Sequence, residues 1–213
     1  MKVGIIGAGG KAGSAIYREA VRRGHETTAI VRSVERARAI LGSDVVSIEK
    51  SGFELERADI EGFDALVNAS GFAPPEAGKH VELTEHLVSL ATSGSPRLVF
   101  ILGAGSLFAG ADRHRFIDDI KLEEDSDLWI AIPQNQLRQL ELLESVTGAD
   151  WVGVSPQALF TEGPATTPVV GTDEIMLSSD GTSHTTTGTM AAGILDELEN
   201  PSHQRTRFTV GDE

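Results

Sequence analysis

The sequence predicts an α/β fold on a doubly wound parallel sheet, and three observations predict it. A short apolar strand, Met1-Lys2-Val3-Gly4-Ile5-Ile6, runs straight into Gly7-Ala8-Gly9-Gly10-Lys11-Ala12-Gly13 and then into a helical stretch. Strand-like runs alternate with helix-period segments to about residue 160. The central runs Ala65–Ala69 and Leu98–Leu102 are continuously apolar, as parallel strands covered on both faces are.

In chain order, Ser14 to Arg23 has apolar or small residues at Ala15, Ile16, Ala20 and Val21 and reads as the first helix. Thr27–Val31 is the second strand, Val34–Leu41 the next helix and Asp44–Ile48 the third strand. Ala65-Leu66-Val67-Asn68-Ala69 follows, then a crossover helix over His80–Ala91 with Val81, Leu83, Leu87, Val88 and Leu90. Leu98–Leu102 is the clearest core strand and Gly103-Ala104-Gly105-Ser106 closes it. Gly110–Asp127 reads as a long acidic connection, the kind of loop that covers a cleft. Gln134–Val146 is a helix and Trp151–Val154 a further strand leading to Ser155-Pro156. After Phe160, Gly163, Pro164, Pro168 and Gly171 break the chain before a helix at Gly188–Leu198 and a last strand at Arg207–Val210. The expectation is one Rossmann-like domain over residues 1–213, with residues 161–213 a small C-terminal appendage on the substrate side of the cleft.

A formal charge of −14 argues against binding nucleic acid or an anionic membrane surface. The absence of cysteine excludes disulfides, thiolate catalysis and sulfur-ligated metals. No apolar run approaches the ~20 residues of a membrane span, and the first strand leaves no room for a signal peptide, so a cytoplasmic location is expected. The six histidines show no metal-ligand spacing, and no metal is expected. Asp118-Asp119 and Glu123-Glu124-Asp125 read as solvated charge.

The strand, glycine turn and helix make a phosphate site, because glycines admit a pyrophosphate and the first N–H groups of the helix point at it. Gly7, Gly10 and Gly13 fit one glycine spacing; Gly7, Gly9 and Ala12 fit the other. Either register puts a dinucleotide on Gly7–Gly13.

Over nearly its whole length the chain resembles the atypical short-chain dehydrogenase/reductases, in the NmrA-like NAD(P)-binding and NADH-flavin reductase group. The resemblance rests on Lys2–Gly13, Arg23-Gly24-His25-Glu26, Ala29–Arg32, Phe63–Ala69, Gly103–Leu107, Ser155-Pro156 and Asp196–Pro201. Two departures stand out. Ser51 occupies the place of an acid near the adenine. Trp129-Ile130 stands where a Tyr-Lys dipeptide would precede the crossover helix, and the only tyrosine, Tyr17, lies behind the glycine turn.

For the cofactor, Arg32 at the end of the second strand and Lys11 in the turn suit a ribose 2′-phosphate, so NADP is expected, with NAD the alternative. Asn68, Ala69, Ser70 and Gly71 end a central strand at the switch point and are expected to line the cofactor's ribose, with Phe72 as a wall. Gly103 and Ser106 should lie near the nicotinamide. A serine without a base is a poor acid, so Ser106 is assigned orientation. Ser155 and Pro156 should fix the carboxamide, and Phe160 and Trp129 offer flat surface to a planar acceptor. His114 is the histidine to test as a proton source. The expectation is an NADPH-dependent reductase of a flavin-like or quinone-like acceptor. The rival is a non-catalytic NADP sensor acting through a regulatory protein partner, and either reading accommodates a homodimer.

Overall fold

The structure, a computed structural model, describes residues 1–91 and 96–213. The elements run β1 (Lys2–Ile6), α1 (Lys11–Arg22), β2 (Glu26–Val31), α2 (Val34–Leu41), β3 (Ser47–Glu49), α3 (Arg57–Ile60), β4 (Ala65–Asn68), α4 (Lys79–Leu90) and β5 (Arg97–Ile101). They continue with β6 (Phe108–Ala109), β7 (His114–Arg115), α5 (Phe116–Ile120), α6 (Ala131–Ser145), β8 (Trp151–Pro156), β9 (Leu159–Thr161), β10 (Pro168–Gly171), β11 (His184–Thr186), α7 (Thr187–Glu199) and β12 (Thr206–Asp212). Eight strands form one sheet in the order β10-β12-β8-β5-β4-β1-β2-β3. All of its pairs are parallel except β10 with β12, which places an antiparallel strand at the edge.

The order reverses between β1 and β4, so the carboxyl ends of these two strands open a crevice. One face packs Val3, Ile5, Val67, Val99, Val152 and Val154 against Ile16 and Ala20 of α1 and Met190, Ile194 and Leu195 of α7. The other packs Ile6, Leu66, Leu98, Phe100 and Trp151 against Leu83 and Leu87 of α4 and Leu140 and Leu143 of α6. Alternate residues of each strand supply the two faces, which is why the central strands read as unbroken apolar runs.

Three stretches differ from expectation. The third strand pairs with β2 only at Ser47–Glu49, short of the expected Asp44 start. Gly110–Asp127 is no open connection. It contains β7 and α5, and Ile117 and Ile120 bury themselves against the turn after β5, so two apolar anchors outweigh its acidic composition. Residues 161–213 are built into the body rather than appended. They supply β10 and β12 to the sheet and α7 to its cover, because Met190, Ile194, Phe208 and Val210 belong to the same core as β1.

Candidate functional site

The glycine turn is fixed by close backbone approach. Gly7 takes a positive φ of 77°, a conformation natural to glycine, and a Cβ there would lie 2.9 Å from the Ala69 carbonyl oxygen. A Cβ on Gly13 would lie 2.2 Å from the Gly7 oxygen, so only glycine lets α1 seat on the turn. Gly10 donates its N–H to Gly7 across 2.9 Å. A Cβ on Gly10 would approach the Gly7 oxygen at 3.2 Å, whereas one on Gly9 would meet nothing closer than Ile40 at 3.9 Å. The contacts therefore favour the Gly7, Gly10, Gly13 register. Helix α1 has no side-chain cap and no acid in its first turn, so the N–H groups of Lys11, Ala12 and Gly13 face outward beside a positive helix end. This is the cradle a pyrophosphate requires, and the donors present fit one.

Asn68 ends β4 as a buried residue whose side-chain oxygen accepts from the Ser70 N–H at 3.1 Å. That turn lays the Ala69–Ser70 backbone against Gly7, so β1 and β4 meet at the switch point, with Gly71 open beside them. The structure thus brings Gly7–Gly13 and Asn68–Gly71 together.

The two cations expected at the ribose part company. Arg32 is exposed just past β2 and forms no ion pair among the described residues. Lys11 instead pairs at 3.5 Å with Glu162, which follows β9 on the opposite side of the turn. Its place at the first position of α1 carries its side chain toward the C-terminal segment. Lys11 and Glu162 both line a groove of about 380 Å³ between α1 and residues 162–188. Glu49, at the end of β3, caps α2 by accepting from the Val34 N–H at 3.1 Å. A carboxylate therefore sits near Arg32's strand end.

After β5, Gly103 opens a tight 3-10 turn, Ala104–Ser106. Ser106 is 1% exposed and its hydroxyl donates to the Gly103 carbonyl at 2.9 Å. This hydroxyl's proton is engaged inside the turn. Over the same turn lies Gln136 of α6, whose side-chain oxygen would be 2.2 Å from a Cβ on Gly103. Gln136 is half-buried and its amide makes no hydrogen bond among the described residues. Its partner is a glycine many residues away, a relationship no local motif carries.

Ser155 and Pro156 are the last residues of β8, fully buried and paired with Thr209 and Val210 of β12. The Ser155 carbonyl accepts from Thr209 at 2.9 Å, while its hydroxyl is buried without a partner among the described residues. The strand thus runs two residues past Val154. The next residue, Gln157, is 1% exposed and ties β8 to Thr185, Thr209, Met176 and Ser183.

Of the expected flat surfaces, Phe72 stacks edge-on against His80 at 5.0 Å and faces Phe53 at 6.2 Å. Phe160 is 37% exposed on β9, and Trp129 is half-buried ahead of α6. No ring contact joins these three among the described residues. His114 is held by Asp112 at 2.7 Å and Asp119 at 2.9 Å through its two ring nitrogens. Those hydrogen bonds raise its pKa to about 9 and make it a salt-bridged cation. Tyr17 is 7% exposed in the α1 core, and burial raises its pKa. No group of three or more potential ligands gathers as a metal site among the described residues. None of their helices is long and apolar enough to cross a membrane.

A family model described as NAD(P)H-binding matches residues 7–201. The uncharacterized protein YwnB of Bacillus subtilis (strain 168) is 39% identical, over 99% of this chain and 98% of its own. A crystal structure of a Lactobacillus casei protein superposes with a TM-score of 0.92 at 38% identity, covering 100% of this chain and 99% of that one. SP1627 of Streptococcus pneumoniae TIGR4, whose crystal structure bears the name "putative NADH-flavin reductase", gives a TM-score of 0.90 at 31% identity, with 100% of both chains covered.

Proposed function

Because the chain belongs to the NAD(P)H-binding family, we propose that it is an NADPH-dependent reductase passing hydride to a planar acceptor of flavin or quinone type. The observation that carries the cofactor half is the Gly7–Gly13 contact, which holds an uncapped helix end open at the switch point. The name borne by SP1627, a structure 31% identical over the whole chain, supports the acceptor half.

The N–H groups of Lys11, Ala12 and Gly13 would hold the pyrophosphate, and the backbone of Asn68–Gly71 would line the ribose. Arg32, exposed and without an ion pair among the described residues, would take a 2′-phosphate and favour NADP over NAD. When bound, the reduced nicotinamide supplies the hydride. Gln136 would orient the acceptor over Gly103 with its free amide. A flavin-like or quinone-like acceptor can take its proton from water, so a core-buried Tyr17 and a doubly paired His114 leave such a reaction intact. Arrival of the substrate needs no other partner on this reading, neither nucleic acid nor membrane.

The test is NADPH oxidation followed with a panel of flavins and quinones, with calorimetric titration of NADPH and NADH alongside. Turnover with at least one acceptor supports the reading. Tight NADPH binding with no turnover on the whole panel would make the protein a dinucleotide sensor instead.

A further inference from the structure

Beneath the turn that follows β5, two guanidinium groups converge on one carbonyl oxygen. Arg115, at the end of β7, and Arg207, near the start of β12, both donate to the carbonyl of Ser106, Arg207 from 3.3 Å. Neither has a carboxylate within ion-pairing distance among the described residues.

Arg207 is 9% exposed, and its Nη1 is buried with no hydrogen-bond partner among the described residues. Its stem packs over Gly153 of β8, where a Cβ would lie 3.5 Å from that of Arg207. Arg115 is half-buried and lies 4.0 Å over the Phe108 ring, so it stands at the accessible side of the pair. The acids nearest in charge to Arg207 are Asp173 and Glu144. Asp173 is taken by Arg113 at 3.0 Å, and Glu144 is exposed near the end of α6. Burial lowers the Arg207 pKa to about 10, and Arg115 adds to that lowering.

A buried cation beside a like charge, with an N–H group unmet, is costly unless an anion completes it. Paired guanidinium forks match the oxygens of a phosphate or carboxylate. We propose that Arg115 and Arg207 form a binding site for an oxyanion, the phosphate monoester or carboxylate borne by the planar acceptor. The identity of the ring rests on the reductase reading; the anion site rests on the two arginines. It narrows the acceptor class to rings with an anionic arm, the ring at the Gly103 turn and the arm under Ser106.

The test measures equilibrium binding with NADP+ saturating, so that the phosphate cradle of α1 is filled and no turnover occurs. FMN is compared with riboflavin for the phosphate source, and anthraquinone-2-carboxylate with anthraquinone for the carboxylate source. At least tenfold tighter binding of the charged member of one pair is expected, and the pair that responds identifies the source. Arg115→Gln should bring that ratio to about one, and Arg115→Lys should restore part of it. Arg115 is the chosen position because it is half-buried, whereas a change at buried Arg207 risks the fold. Equal binding within both pairs, or a preference that Arg115→Gln leaves intact, would overturn the site. Reduction of riboflavin as fast as FMN with equal affinities would sink the anion site and leave the reductase standing. Selective binding of FMN without turnover would do the reverse.

Discussion

Gly13 seats against Gly7 so closely that a methyl group on Gly13 would stand 2.2 Å from the Gly7 carbonyl oxygen. That contact joins the end of β1 to the start of α1 and so sets the mouth of the phosphate cradle. Gly13→Ala should therefore cost about 1–3 kcal/mol of stability, the usual range for overpacking, and abolish NADPH binding. Gly9→Ala, with open space about it, should stay within ~0.5 kcal/mol of the parent. Urea denaturation of the two variants makes the comparison, and equal losses would mean that the turn is not held by this contact.

Gly10 separates binding from folding. It is exposed, its φ of −90° suits any residue, and an added side chain would meet only the Gly7 oxygen. Gly10→Val should keep a normal circular dichroism melt while losing dinucleotide binding, because its branches would occupy the phosphate's place. Normal binding by calorimetry would put the pyrophosphate elsewhere.

Cofactor choice should turn on Arg32 and Glu49, which flank the start of α2. Arg32→Ala should weaken NADPH by ~1.5–3 kcal/mol, the scale of a charge-assisted hydrogen bond, and leave NADH nearly unchanged. Glu49→Gln removes a carboxylate from the helix end it now caps and should improve NADPH relative to NADH. Parallel titrations with both cofactors measure the two ratios. An equal loss for NADPH and NADH in the Arg32 variant would remove Arg32 from the 2′-phosphate site.

Ser106 and Gln136 should exchange the roles that sequence position suggests. The Ser106 hydroxyl bonds inside its own turn, so Ser106→Ala should cost ~1 kcal/mol of stability and leave the acceptor KM unchanged. Gln136→Leu removes the free amide over Gly103 and should raise the acceptor KM several-fold with the NADPH affinity intact. Steady-state kinetics with one accepted quinone distinguishes them; a KM effect in the serine variant alone would reverse the assignment.

What the sequence disclosed and what it hid follow from the range of the contacts. The glycine turn, β1, β4 and β5 declare themselves locally, because a strand buried on both faces needs an unbroken apolar run and a phosphate turn needs small residues in series. Glycine spacing leaves the register ambiguous; the approaches of Gly13 and Gly10 to the Gly7 oxygen separate the two spacings. β10, an edge strand opening on Pro168 with Val169 and Val170 exposed, has no buried face to generate a pattern. Gln136 over Gly103 and Arg207 under Ser106 join residues far apart in the chain. The place of Lys11 in the turn is readable from the sequence, but its ion pair with Glu162 joins residues far apart in the chain.

His80 should make the protein acid-sensitive well above the carboxylate range. It is 3% exposed on α4 against Phe72, its Nε2 has no partner among the described residues, and burial lowers its pKa to about 4. The unfolded chain takes up the proton near pH 6.5 while the folded chain resists until about 4, so between those values the unfolded state binds more protons. The His80 contribution is thus complete above pH 6.5 and is lost as the pH falls from there through the folded pKa, roughly 3 kcal/mol in all. His80→Phe should remove most of the decline in the urea midpoint between pH 6.5 and 4.5. It should leave intact the steeper loss below pH 4 that arises when paired carboxylates such as Glu19 and Asp212 take up protons. Parallel slopes for the parent and His80→Phe across the upper window would show that His80 is solvated or finds a partner when charged, and the same outcome would release Phe72 from the rigid wall assigned to it.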